Sequence, residues 1–326
     1  MFSPMTGTRG RTIFPAPSRA LAAMYHYVRP PAKDLPFFHA MTPERFESQL
    51  DRLGREWDII SLETYLAAVW NRTPLSKPSC ILTFDDGVWD HYEVVFPILR
   101  RRGLSGAFFV STAPLVEPQV LVVHRIQHLV GRIPSNDLEE RLVRTVRHVA
   151  PKAADRLLAT NPAQVDSIYS YEPNPSTRRV KFVLNFALEG SIQEEVTRTL
   201  FEAEFGPGPA FARRFYLTID QVRCMAAEGM TVGSHGHRHL AMSACDRLKK
   251  QEELRTSKRL LEGWTARPVD TFCFPWGGVH HIDDSSEDIL VQEGFRGAMT
   301  TVVGINEGTL NPYYLKRRDC IHLEEA

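Results

Sequence analysis

Along the chain, short apolar runs alternate with stretches whose apolar residues recur every three or four positions, the pattern of strands alternating with amphipathic helices. Ala20 to Val28 is the first apolar run; it closes on Tyr25-His26-Tyr27 and is stopped by Arg29-Pro30-Pro31. Thr42 then stands where an N-cap is expected, with Pro43 at the first helical position and Phe46, Leu50 and Leu53 at helical spacing behind it. Asp58-Ile59-Ile60 reads as a short strand, and a helix opening at Ser61 carries Leu66, Ala67 and Trp70. Cys80 to Phe84 predicts a buried strand, followed by Asp85-Asp86-Gly87 and a helix through Tyr92, Val95, Phe96 and Leu99; Ser105 to Val110 predicts the next strand. Repeated strand-helix-strand units predict an α/β fold with parallel strands, in which the loops at the carboxyl ends of the strands host chemistry.

From about Ala113 the strands lapse and helical spacing takes over, as in Leu138, Leu142, Val146, Val149 and again in Ile192, Val196, Leu200. Strand and helix resume at Thr231 to Ser234, which delivers His235-Gly236-His237-Arg238-His239 into a loop. A long helix with Leu248, Leu254, Leu260 and Leu261 follows, then a strand over Val269 to Phe274 that ends in Pro275-Trp276-Gly277-Gly278. A helical turn at Ile289-Leu290 and final strands over Phe295 to Thr300 and Tyr314 to Ile321 complete the pattern. The expected organisation is one domain over residues 20–326 with a mainly helical insertion at about 113–210. Residues 1–19, rich in Pro, Gly, Thr and Arg with no apolar period, read as a flexible N-terminal arm.

Composition narrows the class. With 39 basic and 39 acidic residues the formal net charge is zero, which argues against a general nucleic-acid binder. Five scattered cysteines without a C-x-x-C pair indicate neither a disulfide framework nor a thiolate zinc site. No apolar run reaches the roughly 20 residues needed to span a bilayer, and Pro15, Pro17 and Arg19 break up the start of the chain, so the expected location is cytoplasmic. Nothing in the chain signals an oligomeric state.

Asp85-Asp86 alone is turn chemistry, but the second polar cluster changes its weight. His235 and His239 are four residues apart, a spacing that brings two imidazoles onto one ion if the loop turns as a helix does. Asp86 would complete a two-histidine, one-carboxylate set with positions left for water, and Asp85 beside it would be free to act as a base. Such a set accepts one divalent ion, zinc first, with cobalt, nickel, manganese or iron as alternatives.

Taken in order, Thr83-Phe84-Asp85-Asp86-Gly87, Gly233-Ser234-His235-Gly236-His237-Arg238-His239 and Phe272-Cys273-Phe274-Pro275-Trp276-Gly277 resemble the motifs of the polysaccharide deacetylases, carbohydrate esterase family 4. Tyr25-His26-Tyr27-Val28 and Arg267-Pro268-Val269 are similar to the branch with an early Tyr-His strand. The resemblance implies a distorted (β/α)7 barrel that removes an N-acyl group, most often N-acetyl, from an amino sugar or an amino-sugar-containing glycan, glycolipid or glycoside. It makes Asp85 the general base and Asp86, His235 and His239 the metal ligands. The backbone near Trp276 then serves the oxyanion, and Trp276 and Pro275 line the sugar site. Two other readings stand beside it: a non-catalytic carbohydrate-binding homologue, and a deformylase or amidase for another small amide.

Three departures accompany the resemblance. Gly236 stands where Ser or Thr is usual, which weakens a loop-stabilising hydrogen bond but not the metal set itself. Cys273 stands where many relatives have an arginine that orients the base, and Arg317 is the candidate to replace that charge. The general acid, commonly a C-terminal histidine, is without a clear counterpart; His26, His124 and His322 are the candidates.

Overall fold

The structure is a computed structural model that describes residues 5–6, 12–169, 172–188 and 190–325. Seven parallel strands close on themselves in chain order: β1 (Ala20–Tyr25), β2 (Ser79–Phe84), β3 (Ala107–Val110), β4 (Thr231–Ser234), β5 (Thr271–Cys273), β6 (Gly297–Val303) and β7 (Leu315–Asp319). The ring shuts where β7 pairs with β1, Arg318 lying opposite Ala23, while β1 pairs with β2 along its whole length from Ala20–Ser79 to Tyr25–Phe84. The two-residue strand Asp58–Ile59 adds to the start of β2 on its other side. β1 to β5 are buried at every position, as expected of strands covered on both faces. This is the (β/α)7 barrel of the expected fold class.

Helix signals in the sequence translate directly. Thr42 accepts from the Arg45 amide and Pro43 opens the helix Pro43–Glu56, while Ser61 caps Leu62–Asn71. Phe46, Leu50 and Leu53 turn inward and pack with Tyr25, Leu82, Phe84 and Phe108. Phe84 lies between Tyr25 and Phe108, stacked on both at centroid distances of 5.3 and 4.8 Å, so the last residue before Asp85 is fixed by aromatic packing.

The chain forms two compact units, residues 1–30, 40–117 and 215–326 making one and residues 31–39 and 118–214 the other. The second is helical, with Leu129, Leu138, Leu142, Val146, Val180, Leu184, Val196 and Leu200 in its core. Its surface carries ion pairs such as Arg141–Glu204 and Arg132–Glu204.

Several boundaries differ from the sequence pattern. Of the arm expected over residues 1–19, residues 1–4 and 7–11 lie outside the described residues, and Thr12–Pro15 is a strand antiparallel to Thr309–Leu310 rather than a flexible segment. Its anchor is the buried Phe14, edge-on to Trp70 at 4.8 Å, with Thr12 N–H donating to Glu287; one aromatic has no periodicity to read. The strand expected to reach Ile321 stops at Asp319, where the carboxylate accepts the Ile321 amide and turns the chain into a 3-10 segment, Cys320–Glu325. The strand expected from Val269 begins at Thr271, and the helix placed at Ile289 begins at Ser286.

Candidate active site

Asp85 follows directly on β2, and Arg317 projects from β7 into the barrel. The guanidinium donates in a fork to both carboxylate oxygens, Nη1 to Oδ1 at 2.8 Å and Nη2 to Oδ2 at 2.7 Å. Nε donates to the Thr300 carbonyl at 2.7 Å, and Nη1 reaches Thr83 Oγ1 at 3.1 Å. That carbonyl faces the arginine at a register shift, Leu315 pairing with Met299 but Arg317 with Val303, an irregularity of the kind that re-aims groups beside sites. Cys273 Sγ sits 3.1 Å from Nη2 and 3.5 Å from Asp85 Oδ2, so the residue at the usual arginine position leaves room for the guanidinium from the next strand but one. Burial works against the Asp85 charge, yet Arg317 and then His235 outweigh it and hold the carboxyl at about 2.

Asp86 is turned away from its neighbour by a left-handed backbone, φ +82°, with Gly87 at φ +74° behind it. Its Oδ1 lies 3.3 Å from His235 Nε2 and 3.4 Å from His239 Nε2. Residues 235–239 are not a helical turn, contrary to the expectation from their spacing: they form an irregular loop in which Gly236 and His239 take φ +75° and +59°. The two imidazoles converge because the loop folds back on itself. His235 Nδ1 donates to the Cys273 carbonyl at 2.8 Å, which aims Nε2 at Asp86. Burial opposes its imidazolium form, but the Cys273 sulfur and the carboxylates of Asp86 and Asp85 reverse that and raise its pKa well above the ordinary value.

The donor set fits a small divalent ion. Two ligands about 2.1 Å from a tetrahedral ion stand about 3.4 Å apart, which matches the 3.3 and 3.4 Å separations of Asp86 Oδ1 from the imidazole nitrogens. A second grouping, Asp85, His235 and Cys273, also lies within 4.8 Å. There, however, both carboxylate oxygens are already engaged by Arg317, and His235 Nε2 is directed at Asp86.

The other candidates have different surroundings. His26, one residue past β1, brings Nε2 to 3.9 Å from Asp85 Oδ2 with 32% of its side chain exposed. Its carbonyl accepts from the buried His91 Nε2 at 2.8 Å, and burial lowers the His91 pKa. The next residues are tied by Asp90, whose carboxylate accepts from the Val28 amide and from Arg29, both at 2.7 Å. Trp276, at φ +65°, places its ring 5.9 Å from that of His239, and Pro275 is buried beside it. Gly277 is obligatory here, because at φ +56° a Cβ would stand 2.7 Å from the Thr301 amide. His237 points elsewhere, its Nδ1 at 2.9 Å from Thr112 Oγ1. His124 is buried in the helix Val122–Arg132 of the helical unit, and His322 is exposed on the 3-10 segment that ends the described chain.

Sequence reasoning missed Asp90, Arg29, Thr112 and Glu253, which brace this site. Asp90 and Arg29 meet across 61 positions and leave no local trace. Glu253 had one: with Lys250, Ser257 and Leu261 it forms a buried row at helical spacing.

Comparisons with known proteins bear on the fold and on part of the chain. Residues 185–298 match a family model for polysaccharide deacetylase, a segment that contains His235, His239 and Trp276 while Asp85, Asp86 and Arg317 lie outside it. No curated protein matches the chain. Among solved structures the fold is similar to the Streptococcus pyogenes deacetylase PplD in complex with acetate, at 16% identity and a TM-score of 0.58 over 93% of this chain and 92% of that one. It is similar to IcaB from Ammonifex degensii at 16% identity and a TM-score of 0.55, over 92% of this chain and 91% of that one. The deacetylase domain of BpsB from Bordetella bronchiseptica gives 15% identity and a TM-score of 0.55, over 93% and 96% of the two chains. Residues 185–298 are thus similar to the polysaccharide deacetylase family, and the seven-stranded barrel is the fold of the deacetylases of solved structure.

Proposed function

We propose that the chain is a metal-dependent N-deacetylase that hydrolyses the N-acyl group, N-acetyl first, of an amino sugar within a glycan, glycolipid or glycoside. One observation carries the reading: two imidazoles and one carboxylate converge on a point beside a second carboxylate that a buried arginine holds anionic. In this reading Asp86, His235 and His239 hold one divalent ion, with zinc, cobalt, nickel, manganese and iron all compatible with the donors. When bound, the ion supplies Lewis acidity and lowers the pKa of water towards about 7.

Asp85 orients the attacking water and accepts its proton, with Arg317 fixing the plane of the carboxylate. A carboxyl held at about 2 stores a proton poorly, so the proton must move on. His26 is placed to receive it, with Nε2 3.9 Å from Asp85 Oδ2 and part of the ring open to solvent, and it hands the proton to the leaving amine. The amide of Trp276, on a strained turn after β5, is assigned to the oxyanion, and the Trp276 ring with Pro275 to the sugar face. The missing third-motif arginine favoured a non-catalytic homologue. Its charge is present from β7 instead, which supports turnover.

Asp85→Asn is expected to lower acetate release from a panel of N-acetylated oligosaccharides by about a hundredfold or more while leaving metal content unchanged. Loss of metal in that variant would exchange the roles of the two aspartates. His26→Gln should slow the same reaction by about tenfold or more, with the deficit shrinking for an N-acetyl arylamine, whose leaving amine needs less protonation. An equal deficit for both substrates would remove His26 as the acid.

A pH dependence follows from His235. The carboxylates of Asp86 and Asp85 pull its ring towards the protonated form, whereas binding an ion requires the neutral ring, so ions compete with protons there. Affinity should therefore rise with pH, by up to about tenfold per unit below the pKa of the ring, with about one proton released per ion. Competition titrations against a chelator at pH 6, 7 and 8 test this. A flat profile would contradict it.

A further inference from the structure

Residues 235–239 carry both imidazoles of the proposed ion site, yet Gly236 gives the loop no side chain of its own to hold it. What holds it comes from outside. Glu253, 1% exposed on the helix Arg247–Thr265, accepts the amides of both His237 and Arg238 with one oxygen, Oε2, at 2.9 and 2.7 Å. Two successive N–H groups turned onto one anion form a backbone nest, here filled by a carboxylate of the same chain. One helical turn on, Ser257 Oγ lies 2.7 Å from Ser234 Oγ, which accepts the Gly236 amide at 3.1 Å. Three consecutive amides between the two histidines are thus held by side chains. The loop's carbonyls are held from the other side, Ser111 Oγ donating to His235 O at 3.1 Å and the Ala113 amide to His237 O at 2.8 Å.

We infer that Glu253 is the positioning residue of the metal site: by fixing the His237 and Arg238 amides it sets the left-handed turn that brings His239 Nε2 back to Asp86, replacing the hydroxyl that Gly236 lacks. The same site shows why a hydroxyl residue does not simply return there. At φ +75° a Cβ on residue 236 would stand in left-handed backbone and 3.4 Å from Glu253 Oε2. Helix and loop instead share the task, the carboxylate reaching in where the loop has no side chain. Glu253 touches neither substrate nor ion in this account, and its effect is transmitted through the backbone of the loop.

The inference rests on Asp86, His235 and His239 binding an ion, so its test measures zinc affinity of the folded protein. Wild type, His235→Ala, Glu253→Ala and Glu253→Gln are titrated with zinc against a chromophoric chelator, with circular dichroism as the folding control. Glu253→Ala should bind at least about tenfold more weakly, and Glu253→Gln, which keeps an acceptor oxygen for both amides, should stay within about threefold of wild type. Should Glu253→Ala fail to fold, Glu253→Asp takes its place with the same tenfold loss expected, because its carboxylate is one methylene too short to reach both amides. A folded Ala or Asp variant that binds zinc within threefold of wild type overturns the role of Glu253 alone. Wild type that binds no zinc, or a His235→Ala variant that binds as well as wild type, overturns the ion site itself and this inference with it.

Discussion

The fork between Arg317 and Asp85 is the interaction on which the site depends. Both groups are buried inside a barrel, where removing each charge from water costs several kcal/mol and only good geometry with further hydrogen bonds offsets that cost. The structure supplies both: two parallel N–H···O bonds, a backbone carbonyl for Nε and a hydroxyl for Nη1. Losing one partner of such a pair costs about 3–5 kcal/mol, which makes the pair an all-or-nothing feature. Because β7 also closes the barrel against β1, the residue that charges the site and the strand that completes the fold are the same element.

A second constraint is stored in the backbone. Among the described residues, the non-glycine positions with positive φ are Arg72, Asp86, His239, Ala266 and Trp276. Arg72 and Ala266 end helices, where a left-handed residue is ordinary. The other three are in the site, and left-handed non-glycine residues of this kind cost about 1–3 kcal/mol each. They persist because their surroundings over-determine them: Phe84 is locked between two rings ahead of Asp86, Glu253 holds the amides ahead of His239, and Gly277 fits the tight approach behind Trp276. The catalytic geometry proposed for this chain is thus maintained by packing and capping at positions well away from the reacting atoms.

The parts of this arrangement that were legible in the sequence are those with a local signature. Strand ends, helix caps at Thr42 and Ser61, the acid pair and the two histidines four apart are all written within a few residues of one another. Arg317 is legible only as a replacement for the charge absent at Cys273. Its fork on Asp85 joins residues 232 positions apart, a pairing that no local pattern encodes. The irregular 235–239 loop departed from the helical turn expected of its spacing because conformation there is dictated by a glutamate from the following helix and not by the loop's own residues. Thr12–Pro15 was hidden for a similar reason, since one buried phenylalanine and a partner strand at the far end of the chain hold it.

The central claim is that the two aspartates divide their work, Asp86 holding the ion while Asp85 stays with Arg317. Anomalous diffraction from crystals grown with zinc addresses it most directly. The account predicts one peak about 2.0–2.2 Å from His235 Nε2, His239 Nε2 and an Asp86 oxygen, with the Arg317 fork on Asp85 intact. A peak coordinated by Asp85, His235 and Cys273 would contradict it.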